Sequence, residues 1–180
     1  MNILTDRKNG IVKWTLNCKD IVIQDYNMMY AYEYGSEMVM LKLKSNDGEI
    51  AFSLYDINGD LILSYVPKSS EIMIGINKSI HLDYLISVEY SKKDKKIVAL
   101  TGIKEDERKL IILDNEGNII SNIINPSGYT YYFTQNFGDK IIVVCRGNSD
   151  ATVDKYGRND WNFRVDLDNY YVERMSITQL

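Results

Sequence analysis

Apolar and polar residues alternate with a period of two along nearly the whole chain. Val12, Trp14 and Leu16 fall on one face of a run whose other face holds Lys13 and Thr15. Leu82, Tyr84, Ile86, Val88 and Tyr90 are offset in the same way from His81, Asp83, Ser87 and Glu89, and Trp161, Phe163, Val165 and Leu167 oppose Asn162, Arg164, Asp166 and Asp168. Such alternation lays an apolar row on a core and a polar row toward water, the pattern of half-buried antiparallel strands. No run sustains a 3.6-residue period, and Val, Ile, Tyr and Phe dominate. The expected fold is all-β.

Turn chemistry divides the strands. Asn58-Gly59, Glu116-Gly117 and Asn46-Asp47-Gly48 each supply a residue that tolerates positive φ between two apolar runs, so each joins neighbouring antiparallel strands. The unit Leu54–Ile62 returns at Ile112–Ile120, in a degraded form at Phe163–Tyr171, and around Asn17. Anchors 17, 56, 114 and 166 lie 39, 58 and 52 residues apart, near the period of about 40–50 residues of four-stranded propeller blades. Three blades can be drawn: residues 28–34, 38–45, 49–56 and 61–66; then 80–90, 96–101, 110–114 and 119–124; then 129–134, 140–146, 160–166 and 170–176. Strands 11–16 and 20–25 are left over, an outer half-blade without its inner half. About fourteen strands of this kind predict antiparallel four-stranded sheets in a small or incomplete β-propeller-like domain, with a β-sandwich as the alternative. An open arc leaves edges, and edges are either covered or used for binding.

Composition narrows the setting. The chain has 180 residues, 45% apolar and 26% charged, with two prolines and no low-complexity tract, so it reads as a single domain spanning 1–180. The first ten residues carry charges where a secretion signal needs an apolar stretch, and no segment has the roughly 20 apolar residues of a membrane helix. A cytoplasmic protein with no membrane contact is expected. Cys18 and Cys145, the only cysteines, then read as free structural thiols.

Catalytic patterns are sparse. His81, the single histidine, has Asp83 two residues on but no marked serine nucleophile, and one histidine with two distant cysteines lacks the paired spacing of a zinc site. No glycine-rich phosphate loop is present. Asp56-Ile57-Asn58-Gly59-Asp60 resembles half of a calcium loop without its later ligands. The expectation is no cofactor, no metal and no enzyme. Carboxylates remain abundant, and Asp150, Asp154 and Asp160 in the long polar stretch 148–160 leave a glycoside-processing or carbohydrate-binding role as the alternative.

Charge and tyrosine content favour protein contact. Residues 19–60 hold eight carboxylates against three lysines, a net of −5 within a chain of −4. An acidic surface argues against direct nucleic-acid binding and suits a basic protein partner. The one basic cluster, Lys92, Lys93, Lys95 and Lys96, carries Asp94 and reads as a solvated turn. Fourteen tyrosines are present; Tyr30, Tyr32 and Tyr34 share one strand face, as do Tyr129, Tyr131 and Phe133, rows that serve either packing or contact.

The segment Asp154-Lys155-Tyr156-Gly157-Arg158-Asn159-Asp160-Trp161-Asn162-Phe163, followed by Val165-Asp166-Leu167, resembles the C-terminal part of small β-rich immunity proteins of contact-dependent growth inhibition and related bacterial polymorphic toxin systems. The resemblance implies a cytoplasmic protein that covers the active site of a cognate toxin domain, with a cationic ribonuclease as the partner. On this reading the contact residues are Tyr30, Tyr32, Glu33, Tyr34, Glu37, Asp47 and Glu49, together with Asp150, Asp154, Tyr156 and Asp160.

Overall fold

The computed structural model describes residues 1–35, 37–138 and 140–177. It is all-β, with seventeen strands among the described residues, every pairing antiparallel and every strand joined to its sequence neighbour within a sheet. Two compact units divide the chain, Met1–Leu82 and Asp83–Leu180.

In the first unit, β1 (Leu4–Asp6), β2 (Ile11–Leu16) and β3 (Lys19–Gln24) make a three-stranded sheet. β4 (Met28–Glu33), β5 (Met38–Lys44), β6 (Ile50–Asp56), β7 (Leu61–Val66), β8 (Glu71–Ile74) and β9 (Lys78–His81) make a six-stranded one. The small sheet packs on one face of the large sheet through Val12, Trp14, Met28, Val39 and Leu41, with Ile21, Ile23 and Tyr55 around them. Trp14 is 1% exposed, and its indole N–H donates to the Ile57 carbonyl at 2.7 Å, so the polar end of the ring is satisfied inside the core.

The second unit stacks two four-stranded sheets. β10 (Leu85–Ser91), β11 (Lys96–Thr101), β12 (Lys109–Asp114) and β13 (Ile119–Ile124) form one; β14 (Tyr129–Phe137), β15 (Lys140–Gly147), β16 (Asp160–Asp166) and β17 (Tyr171–Ile177) form the other. Val98, Leu100, Leu110 and Ile112 meet Tyr131, Ile141, Val143, Cys145, Phe163 and Val165 in one apolar core. The first strands β10 and β14 approach each other most closely, as neighbouring propeller blades do.

Several expectations are corrected. The first predicted blade is six-stranded, because β8 and β9 follow the turn at Pro67–Ser70 and continue the sheet. Residues 80–90 are not one strand: Tyr84 takes φ 58° and its carbonyl accepts from Gly102, so the chain leaves one sheet at His81 and enters the next at Leu85. The alternation continues through 82–84 because Leu82, at 6% exposure, is buried although it lies outside any strand. Bulges overturn two face assignments. A register shift between Tyr131 and Phe133 sends Phe133 to the face opposite Tyr129 and Tyr131. Another between Leu85 and Ser87 accompanies burial of Glu89, expected to face water; the Thr134 hydroxyl bonds Glu89 at 3.3 Å and Ser87 at 2.6 Å across the two sheets.

The recurring turns sort into types. Asp56 and Asp114 open the same one: Oδ1 of Asp56 accepts the N–H of Asn58 and Asp60 at 2.8 and 2.9 Å, and Oδ1 of Asp114 those of Glu116 and Asn118 at 2.9 and 2.8 Å. Gly59 and Gly117, at φ 90° and 80°, then close a type I turn with a bulge. Asp154–Arg158 and Ser45–Glu49 repeat this arrangement. Asn17 does not: with Cys18 it forms a two-residue turn, φ 48° and 61°, of the primed kind.

Candidate functional site

The predicted contact residues of the first unit collect on β4 and on the β5–β6 turn. β4 is the end strand of the six-stranded sheet, with no strand on its outer side among the described residues. Alternation points Tyr30 and Tyr32 out of the same face, 37% and 42% exposed, with ring centroids 6.0 Å apart. Tyr34 departs from the expectation: at 5% exposure it is part of the core. Its N–H donates to the Met38 carbonyl, which carries the ladder one step past β4.

Register extends this surface to residues that the sequence reading missed. Tyr30 pairs with Lys42, Lys42 with Phe52 and Phe52 with Tyr65, one row across four strands. The Lys42 ammonium lies 5.5 Å from the Tyr30 ring centre and 5.7 Å from that of Phe52, and Phe52 stacks on Tyr65 at 4.8 Å. The signal was present: the Ser45–Glu49 turn fixes Lys44 opposite Ile50, and counting back two residues sets Lys42 opposite Phe52. Tyr32, Tyr30, Lys42 and Phe52 together make a half-exposed aromatic platform with a cation held between rings.

Several acidic residues of the 19–60 segment are occupied by local partners. The N-terminal ammonium of Met1 donates to Glu33 at 3.1 Å, Glu49 pairs with Lys68 at 2.7 Å and Asp20 with Lys13 at 2.6 Å. Asp47 accepts the Ser45 hydroxyl, a bond that holds its carboxyl below the usual range. Glu37, exposed, sits at φ 60° in the β4–β5 connection. The excess negative charge of 19–60 is thus distributed over turns and ion pairs instead of forming one patch.

In the second unit, Asp150, Asp154 and Tyr156 fall in the connection between β15 and β16, which closes on itself, and Asp160 opens β16. The Thr152 hydroxyl donates to the Ser149 carbonyl at 2.6 Å and meets Asn159 at 2.8 Å, Asn159 returns to the Gly147 carbonyl at 2.7 Å, and the Trp161 indole donates to the Thr152 carbonyl at 2.8 Å. Asp154 is bonded by Arg158 at 2.7 Å and Asp160 by Arg146 at 3.1 Å. Burial works upward on the Asp154 carboxyl, but the Arg158 bonds outweigh it and hold the group below the ordinary carboxylate range. Tyr156, 69% exposed, has Lys155 and Arg158 at its ring, 4.8 and 5.2 Å from the centre. Asp150 is exposed in the same connection. This tip therefore carries both signs of charge.

Other candidates resolve into structure. The two oxygens of Asp56 accept from Asn58 and Asp60, the turn's own donors. Lys96 is no solvated lysine: its ammonium donates to the Leu167 carbonyl at 2.6 Å and to the Tyr170 hydroxyl at 3.2 Å, tying β11 to the β16–β17 turn. Beside it an open cleft of about 450 Å³ is lined by Lys93, Lys140 and Arg164 and by Asp94, Asp166 and Asp168, over Val165 and Leu167.

No family model matches the chain, and no curated protein does. Among solved structures, one described as a crystal structure of the eukaryotic initiation factor superposes with a TM-score of 0.39 at 10% identity, over 99% of this chain. The chain spans 55% of that structure's length.

Proposed function

We propose that this chain is a protein-binding domain without catalysis of its own, acting as an immunity protein that covers the active site of a cationic toxin domain. The observation that carries the reading is the exposed Tyr30–Tyr32 pair on the end strand β4, extended by Lys42 and Phe52. Tyrosine presents a large, nearly rigid contact area with a polar tip, and such residues dominate binding energy at protein interfaces. The likeness of 154–167 to immunity proteins supports the choice of partner. The internal pairing of Glu33, Glu49, Asp154 and Asp160 gives charge a lesser role, in steering the encounter through the exposed Asp47 and Asp150.

Co-expression with the product of the gene immediately upstream tests this. Relief of that product's toxicity and co-purification at equal stoichiometry are expected. Toxicity unchanged by the chain, with no complex recovered, contradicts the proposal.

A further inference from the structure

The aromatic platform of the first unit holds a charge without a counter-charge. Lys42 stands inside the row Tyr30–Lys42–Phe52–Tyr65, half-buried, with its ammonium 5.5 Å from the Tyr30 ring centre and 5.7 Å from that of Phe52. The neighbouring row on the same face runs Tyr32–Met40–Leu54, and there Met40 and Leu54 are 2% and 0% exposed. Two rings and a dry apolar row thus thin the water around the ammonium and offer it no opposite charge.

Other lysines of the same unit are paired. Lys13 meets Asp20 at 2.6 Å and Lys68 meets Glu49 at 2.7 Å, on side chains 40% and 73% exposed. Among the described residues no carboxylate pairs with Lys42. Glu33, on the adjacent strand β4, is held by the Met1 ammonium at 3.1 Å. A pair in full solvent is worth little and one shielded from water more, so the unpaired lysine is the one whose pairing counts. Its position is also fixed in advance: ring faces hold the ammonium, and Phe52 is itself stacked on Tyr65 at 4.8 Å.

Sign decides what can cover this spot. On the reading that this platform contacts a cationic partner, on which the present inference rests, a lysine within the contact repels that partner unless an acid lies opposite. We infer that Lys42 is the specificity-determining residue of the platform, receiving a carboxylate from an Asp or Glu side chain of the partner. Apolar groups around that carboxylate cover the Tyr30 and Phe52 rings and shed their water. The partner is basic overall and carries one acid at this point of its contact face. A basic protein lacking that acid is rejected, because docking would leave Lys42 desolvated and unpaired.

Calorimetric titration against the product of the gene immediately upstream tests this with Lys42→Met, Lys42→Glu and Tyr30→Ala. Lys42→Met keeps an apolar stem against the rings, and circular dichroism and thermal melting verify the fold of each variant. Either Lys42 variant alone reads the sign. A carboxylate opposite Lys42 predicts affinity weakened about 30-fold or more in Lys42→Met and further still in Lys42→Glu. Lys42→Met binding as tightly as the parent, or Lys42→Glu binding more tightly, overturns the inference; a weakened Tyr30→Ala in the same series leaves the platform as the binding surface. A parent chain that does not bind overturns both.

Discussion

At the scale of residues, the turns were the most legible part of the chain. The turns predicted at Asn58-Gly59 and Glu116-Gly117 are held by Asp56 and Asp114: one carboxylate oxygen of each takes two backbone N–H groups that the hairpin leaves without strand partners. The Asn46-Asp47-Gly48 turn is likewise found, closed on Ser45, whereas the Asp154 turn escapes the sequence reading because it lies inside the polar stretch 148–160. Asp166 and Asp6 hold related bonds, and their carboxyls are lowered by the backbone N–H of Asn169 and the side chain of Asn9 in turn. A carboxyl lowered on folding stabilises above its unfolded value of about 3.9 and loses that contribution as pH falls through the lower folded value. Thermal melting from neutral pH downward should therefore show Asp166→Asn less stable than the parent at pH 7, with the gap closing below about pH 4. The thiols behave oppositely to each other. Burial pushes Cys145 up, out of reach of reaction at neutral pH, whereas Cys18 is exposed in its turn. Iodoacetamide should label one thiol in the native protein and two after unfolding.

Element by element, strand existence followed from alternation, and strand membership did not. Period two reports which residues share a face only while register holds; the bulges at Tyr132 and Ile86 shift it, so Phe133 and Glu89 fell on the wrong faces. β8 and β9 were missed as members of the first sheet because each has four residues, too few to show a pattern. What joins the elements was least visible. Lys96 looked like one of several turn lysines, but its position at the start of β11 aims it at Leu167 and Tyr170, over whose ring it sits at 4.8 Å. Lys96→Met should lower stability by about 1–3 kcal/mol, since a hydrogen-bonded charge is lost and the Leu167 carbonyl left unmet. The β15–β16 connection depends on Gly147 in the same way: a Cβ there would lie 1.9 Å from the Thr152 hydroxyl and 2.2 Å from Asn159. Gly147→Ala should cost about 1–3 kcal/mol by overpacking. Denaturant unfolding of each variant measures both.

For the molecule as a whole, the all-β class and the antiparallel sheets were readable from the sequence, while the division into Met1–Leu82 and Asp83–Leu180 was not, because the alternation runs through their junction. The candidate site was legible only in part. The tyrosine row predicted on β4 is a surface at Tyr30 and Tyr32 and core at Tyr34, a distinction set by where the strand ends. The acidic excess was real in composition, but its pairing with Lys13, Lys68, Arg146, Arg158 and the N-terminus depends on folding. The proposed binding rests on an aromatic platform more than on charge, and calorimetric titration against the product of the gene immediately upstream measures this most directly. It predicts a one-to-one complex whose affinity falls roughly 30-fold, about 2 kcal/mol, in each of Tyr30→Ala and Tyr32→Ala, with a smaller change in Asp47→Lys. Equal affinity for the parent and the Tyr30→Ala/Tyr32→Ala double variant, or no heat of binding at all, would contradict it.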